Sequence, residues 1–273
     1  MSAVISVFVA WMTAVLLIGV LAVVAAPRMH MPDRLLLVGR RMRAAVDGSA
    51  TAMGRPATSI VVLLACWALV VIVGSLLGIA AHRLQGAVDE PALRWWQSHH
   101  LSGSWTTLWE KLTKIGSPTI TQFFTYLGAA VLLALYWRLP RRWLPSVMLL
   151  LGYLATKYAQ TIVKATVHRG HPPTSLGSWP SGGVSRVFVI YGLIVFFVIL
   201  RFRPRERRVW FGGAVLVTVL ATIQAYARIY NLEHWLTDVI GAFVFGPTLL
   251  ATIIVGYLTW TGSALRPRGP LAD

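Results

Sequence analysis

Long apolar runs, separated by short polar stretches rich in arginine, set the pattern of this chain. Seven runs are long enough to cross a hydrocarbon core as helices, at 4–26, 59–80, 118–137, 144–163, 184–202, 209–230 and 237–260; such a core is about 30 Å thick and needs about 20 helical residues. An open strand facing lipid would leave backbone N–H and C=O groups unpaired, so helices are the reading that the pattern allows. The alternation of a membrane barrel, in segments of about ten residues, is absent. The prediction is an all-α fold: a polytopic transmembrane bundle with a six-helix core and one extra N-terminal helix. Residues 1–58 form the N-terminal helix and an arginine-rich segment, 59–260 the core, and 261–273 a tail.

Composition supports this picture. Of 273 residues, 56% are hydrophobic and 12% charged, whereas a soluble domain carries roughly 25% charged residues. An ordinary soluble enzyme is excluded. The loop after span one, the two following loops on the same side and the tail hold six, three, five and two arginines, sixteen of the 25 basic residues. By the positive-inside rule this side is cytoplasmic, which puts the N-terminus outside and the C-terminus inside a plasma (inner) membrane. Span one lacks a basic n-region and is too long for a cleaved signal, so it reads as a retained anchor. The single cysteine, Cys66, lies within an apolar run and reads as a small core residue.

Two connecting segments stand out. In 33–46, leucines and arginines share one helix, which suits either a helix lying on anionic lipid or a plain positive-inside loop. On the other side, 88–115 mixes Trp95, Trp96, Trp105 and Trp109 with Asp89, Glu90, Arg94, Glu110 and Lys111. That mixture is typical of the membrane–water boundary and reads as an interfacial lid. Trp137, Trp143, Trp210 and Trp260 stand at span ends as belt anchors.

Ionisable residues at membrane depth are costly and mark function by default. Lys157 and Lys164 share a helical face near the outer end of span four; His168, Arg169 and His171 follow, then Ser181-Gly182-Gly183 just before span five, and Arg228, His234 and Asp238 at the junction of the last two spans. The charge-derived topology puts all of these on the outer side. Lys164, Arg169 and Arg228 can neutralise a phosphoryl group, while Ser181 and the N–H groups of Gly182 and Gly183 can form an anion nest. With i,i+4 spacing, Asp238 can hold one imidazole nitrogen of His234 and leave the other free to attack phosphorus. No histidine or carboxylate cluster accompanies them, so no metal and no other cofactor is expected.

This arrangement resembles the type 2 phosphatidic acid phosphatase superfamily of integral membrane lipid phosphatases, whose pattern is Lys-x6-Arg-Pro, then Pro-Ser-Gly-His, then Ser-Arg-x5-His-x3-Asp. Here the chain reads Lys164-x6-His171-Pro172, Pro180-Ser181-Gly182-Gly183 and Ala227-Arg228-x5-His234-x3-Asp238, and the resemblance covers roughly 88–260. It implies that Lys164 and Arg228 bind phosphoryl oxygens, Ser181 and its neighbours cradle them, His234 is the nucleophile and Asp238 orients it through a phosphohistidine intermediate. Gly183 replaces the histidine that protonates the leaving group, His171 replaces a phosphate-binding arginine and Ala227 replaces a serine.

A general acid typically contributes about 10²–10⁴ in rate. Its loss matters least when the leaving oxygen is weakly basic, as for a phosphate of pKa about 6 compared with an alkoxide near 15.7, the value of water. A polyprenyl diphosphate therefore suits the site better than a simple monoester. Alternatively, His168 or His171 supplies the proton; Arg169 reads equally as a surface loop residue or as a substitute for the missing arginine. The enzyme reading competes with a non-catalytic relative that binds, transports or scaffolds a lipid phosphate. The expected partner is a membrane lipid and not a nucleic acid; a homo-oligomer or an envelope-biosynthesis partner stays open.

Overall fold

The computed structural model describes residues 3–25, 33–172, 178–202, 204 and 206–262. Arg28, His30, Pro173, Arg203, Arg205, Arg266 and Arg268 fall outside the described residues. The helices are α1 (Ala3–Ala25), α2 (Asp33–Met53), α3 (Arg55–Arg83), α4 (Glu90–Ser98), α5 (Ser104–Leu112), α6 (Pro118–Leu135), α7 (Leu144–Val167), α8 (Gly182–Arg186), α9 (Gly192–Phe202), α10 (Arg207–Tyr230) and α11 (Leu236–Thr261). A π-helical turn, Val187–Tyr191, joins α8 to α9; another, Gln85–Asp89, joins α3 to α4, and a 3₁₀ turn, Thr113–Gly116, follows α5. There is no strand among the described residues.

Local signals explain several ends. Ser117 caps α6 by accepting a hydrogen bond from the Ile120 N–H at 3.3 Å, with Pro118 in the first turn. At its far end α11 stops at Gly262, whose φ of 65° suits a residue without Cβ.

Among the described residues, six segments are long and apolar enough to cross a membrane: α1, α3, α6, the continuous Gly182–Phe202, α10 and α11. The seventh expected span, 144–163, is helical as part of α7, but this helix falls short of the others in apolarity. It carries Thr156, Lys157, Gln160 and Lys164, and it packs between α3 and α6. The chain is a multi-pass membrane protein.

The most extensive packing is between α3 and α11. Small residues allow the close approach, as Gly256 lies against Leu63 and its carbonyl accepts a hydrogen bond from Ser59 Oγ at 2.8 Å. Trp179 wedges between the same two helices. Its indole N–H donates to the Gly74 carbonyl at 2.8 Å, and its ring lies over Gly78 and Gly241, where a Cβ on Gly241 would come within 1.9 Å of ring carbon. The extra helix α1 packs on α10; Phe8 meets Trp109 and Tyr226 with ring centroids 4.8 and 4.7 Å away, and the Tyr226 hydroxyl donates to the Val4 carbonyl at 3.1 Å.

The segment 88–115 folds as α4 and α5 over the end of the bundle. Trp96 and Trp109 are buried within the aromatic cluster. Sequence alone favoured the boundary because those tryptophans alternate with charges; the indoles of Trp96 and Trp109 face Tyr226, Glu90, Arg94, Glu110 and Lys111 are exposed, and Asp89 is buried.

Candidate active site

Four helix ends meet beneath α4 and α5. The last turn of α7 brings Lys164, the start of α8 brings Ser181 to Gly183 and Arg186, the end of α10 brings Arg228, and the start of α11 brings Asp238, with His234 in the turn before it. The Ser181 N–H donates to the Asp238 carbonyl at 3.0 Å, which fixes α8 to α11 at this point.

His234 Nδ1 lies 3.3 Å from Asp238 Oδ2, an oxygen that also accepts the Trp235 N–H at 3.3 Å. With Nδ1–H donating to the carboxylate, Nε2 keeps its lone pair. Burial pushes the His234 pKa below its usual value, against the raising effect of Asp238; the charges of Arg228 and Lys164 lower it further. The imidazole is therefore neutral at pH 7.

Arg228 donates through Nη1 to Glu233 and through Nη2 to the Thr113 carbonyl at 3.3 Å. Its Nε is buried with no hydrogen-bond partner among the described residues, and so is Ser181 Oγ. Buried polar atoms are rarely left without partners, so two at one site need an explanation. Lys164 is half-buried, with Arg186, Asp238 and Arg228 as electrostatic neighbours.

Gly182 and Gly183 are fully packed. A Cβ on Gly183 would lie 2.8 Å from Gln224 Nε2 and 2.9 Å from Arg228 Nε; on Gly182 it would lie 2.8 Å from Gln160 Oε1 and 3.1 Å from Arg186 Nη1. The space that a side chain at 183 would need is filled by Arg228 and Gln224.

Arg169 was expected on the phosphate; the structure places it elsewhere. It is buried, and its Nη1 donates to Asp238 Oδ1 at 2.7 Å and to Thr237 Oγ1 at 2.8 Å, while Nη2 pairs with Asp89. Asp89 in turn accepts the Thr237 N–H and hydroxyl, both at 2.8 Å. A continuous chain runs His234–Asp238–Arg169–Asp89. His168 and His171 are exposed, and their ring hydrogen bonds are local, to the Thr166 carbonyl at 3.2 Å and the Pro172 carbonyl at 2.9 Å. The structure does not bring them onto His234 or Arg228.

Sequence reasoning missed Asp89, Gln224 and Glu233; Arg186, just inside span five, stands where it could reach out to the site. Arg186 reaches the site: its Nε and Nη2 donate to the Gly116 carbonyl at 3.0 and 2.8 Å, beside Gly182. Gln224 clamps the 3₁₀ turn through the Gly116 N–H and the Thr113 carbonyl, each at 3.0 Å. Asp89 had one available signal: it is one of nine acidic residues, placed just beyond an apolar span. Lys164, Arg169, Arg186 and Arg228 face Asp89, Glu233 and Asp238, four cations against three carboxylates. That leaves one positive charge in excess among these groups.

Residues 145–262, which include every helix end just described except the caps α4 and α5, match the PAP2 superfamily model. This part of the chain belongs to the PAP2 superfamily. No curated protein sequence matches significantly. Among solved structures, the fold is similar to a transmembrane PAP2 type phosphatidylglycerolphosphate phosphatase from Bacillus subtilis, with a TM-score of 0.55 and 19% identity over 74% of this chain and 96% of that one. At that identity the likeness speaks for the fold. The PAP2 segment contains Lys164, Ser181, Arg228, His234 and Asp238; α1 and α2 lie outside it.

Proposed function

We propose that this protein is a membrane phosphatase or phosphotransferase that acts from the extracytoplasmic side on a lipid-linked phosphate, with a polyprenyl diphosphate as the substrate its site suits best. The single observation that carries the reading is the pair of buried atoms without a partner among the described residues, Ser181 Oγ and Arg228 Nε, on helix ends that also bring in a neutral His234. Phosphoryl oxygens would satisfy both, and Lys164 would supply charge stabilisation.

In this reading His234 Nε2 attacks phosphorus. The N–P bond forms as the bond from phosphorus to the leaving oxygen breaks, and that oxygen carries away the electron pair. Asp238 steadies the positive charge that the ring gains. Water then attacks the phosphohistidine, the N–P bond breaks, and inorganic phosphate leaves; in a transferase an acceptor hydroxyl takes the place of water. No side chain fits at Gly183 to protonate the leaving oxygen. That favours a leaving group that departs as a phosphate monoester, which needs no proton from the protein to be stable near neutral pH.

A binding-only role has one observation behind it: Glu233 already pairs with Arg228, as carboxylates pair with Arg169. The deciding experiment compares phosphate release by purified protein from a polyprenyl diphosphate, a polyprenyl monophosphate and phosphatidate. Release from the diphosphate, lost at least about 10³-fold in His234→Ala, is expected, as for loss of a unit that acts as nucleophile. Retained release in that variant removes the nucleophile assignment, and absence of release from all three with lipid still bound selects the binder.

A further inference from the structure

At the end of the bundle opposite His234, a cavity of about 430 Å³ opens among α6, α7, α9 and α11. Its size is within the range of small-molecule sites, about 300–1,000 Å³. Tyr136, Pro145 and Tyr257 form part of its wall, and Arg141 and Arg201 are its charged residues. We propose that this cavity holds the phosphate-bearing head group of an anionic lipid from the leaflet opposite the active site.

Three observations converge on that occupant. First, the local charge is unbalanced: the chain has no Asp or Glu between Glu110 and Glu206, and neither Arg141 nor Arg201 pairs with a carboxylate among the described residues. Arg138 and Arg142 flank the same loop. Second, Arg141 holds a φ of 59°, a left-handed conformation that non-glycine residues rarely adopt. The turn fixes it there, since the Leu144 N–H donates to the Arg141 carbonyl at 2.9 Å. Third, the cavity lies at boundary depth. Trp143 and Trp260 meet edge to face at 5.9 Å, and the Arg138 guanidinium sits 4.8 Å over Trp137. Aromatic belts mark the head-group level.

Arg201 donates through Nε to the Leu135 carbonyl at 3.0 Å, which aims the rest of its guanidinium from a fixed point. Basic pockets between transmembrane helices are known takers of anionic head groups. A lipid here would tie the α6–α7 turn to the ends of α9 and α11, the same helices that carry the active site at their other ends or through their neighbours.

The test uses the full chain in neutral detergent, titrated with phosphatidylglycerol, phosphatidylcholine or inorganic phosphate and read by native mass spectrometry. Retention of phosphatidylglycerol over phosphatidylcholine is expected, weakened about fivefold in Arg141→Gln and about thirtyfold in Arg141→Gln/Arg201→Gln, as each basic residue near a charged membrane surface is worth about that factor. Arg141 is exposed and bonds no catalytic residue, so Arg141→Gln also separates this site from the one at His234. Equal retention of the two lipids, or unchanged retention in Arg141→Gln, overturns the proposal; so does displacement of phosphatidylglycerol by an equal concentration of inorganic phosphate, which would assign the cavity to a free anion.

Discussion

At the scale of single residues, the chemistry turns on who holds whom. Asp238 has two oxygens and three donors: one oxygen serves Arg169 and the other serves His234 and Trp235. An arginine bound to a lone carboxylate would neutralise it and weaken its pull on the imidazole. Asp89 takes the other side of Arg169, so Asp238 keeps negative charge to spend on His234. Asp89→Asn therefore makes the surroundings of His234 more positive, which pushes its pKa, already lowered by burial, lower still. The expected outcome is a loss in kcat of about 10–100-fold, the usual cost of removing a partner one step behind a functional histidine, with KM little changed. The acid limb of the pH–rate profile, expected below 6.5 in the parent because the neutral ring attacks, should move further down. A variant that merely loosened the fold would lower activity without moving that limb. The sign for stability is the same: the contribution of a histidine whose folded pKa is lowered is present above about 6.5 and lost as pH falls through the folded value.

Elements position these residues through close contacts that sequence does not announce. Trp179, two residues before Ser181, locks the approach to α8 by lying over Gly78 and Gly241 and donating to Gly74. In Gly241→Ala the new methyl would overlap the indole and push the Ser181 loop away from α11. Overpacking of this kind costs about 1–3 kcal/mol, so a thermal scan should show a clear drop in Tm, while Gly86→Ala, whose Cβ meets nothing within 4 Å, should leave it unchanged. Equal behaviour of the two variants would remove the wedge. The long apolar runs of α1, α3, α6, α10 and α11 were legible because lipid demands them over a whole span. Helix α7 was harder: its buried face carries Thr156 and Gln160 and its other residues include Lys157, so neither length nor apolarity alone describes it. The motif residues Lys164, Ser181, Arg228, His234 and Asp238 could be read from spacing, since helix ends bring them together whatever lies between. The fate of Arg169 could not. Its partner Asp89 is 80 residues away, and only the fold of α3, α4 and α11 brings the two side chains into contact.

For the whole molecule, the decisive asymmetry is charge. Cations at one end, such as Arg138, Arg141 and Arg142, sit exposed on a loop; at the other end Lys164, Arg186 and Arg228 are partly buried and Arg169 is buried. The exposed acidic residues follow the same division: Asp47 pairs loosely with Arg55 at 3.9 Å near one end, and Glu110 lies on α5 over the active site. The positive-inside rule counts lysine and arginine in short loops near span ends, and by that count the end bearing Arg138, Arg141 and Arg142 faces the cytoplasm. Single cysteines at 47 and 110, in a Cys66→Ala background, test this directly in intact cells. A membrane-impermeant thiol reagent should label position 110 and spare position 47 until the cells are opened. The reverse pattern would turn the active site toward the cytoplasm, and an extracytoplasmic lipid phosphate could no longer be its substrate. Labelling of both positions in intact cells would put the two ends of α3, the span that separates them, on one side and so break the even alternation of spans on which the topology rests.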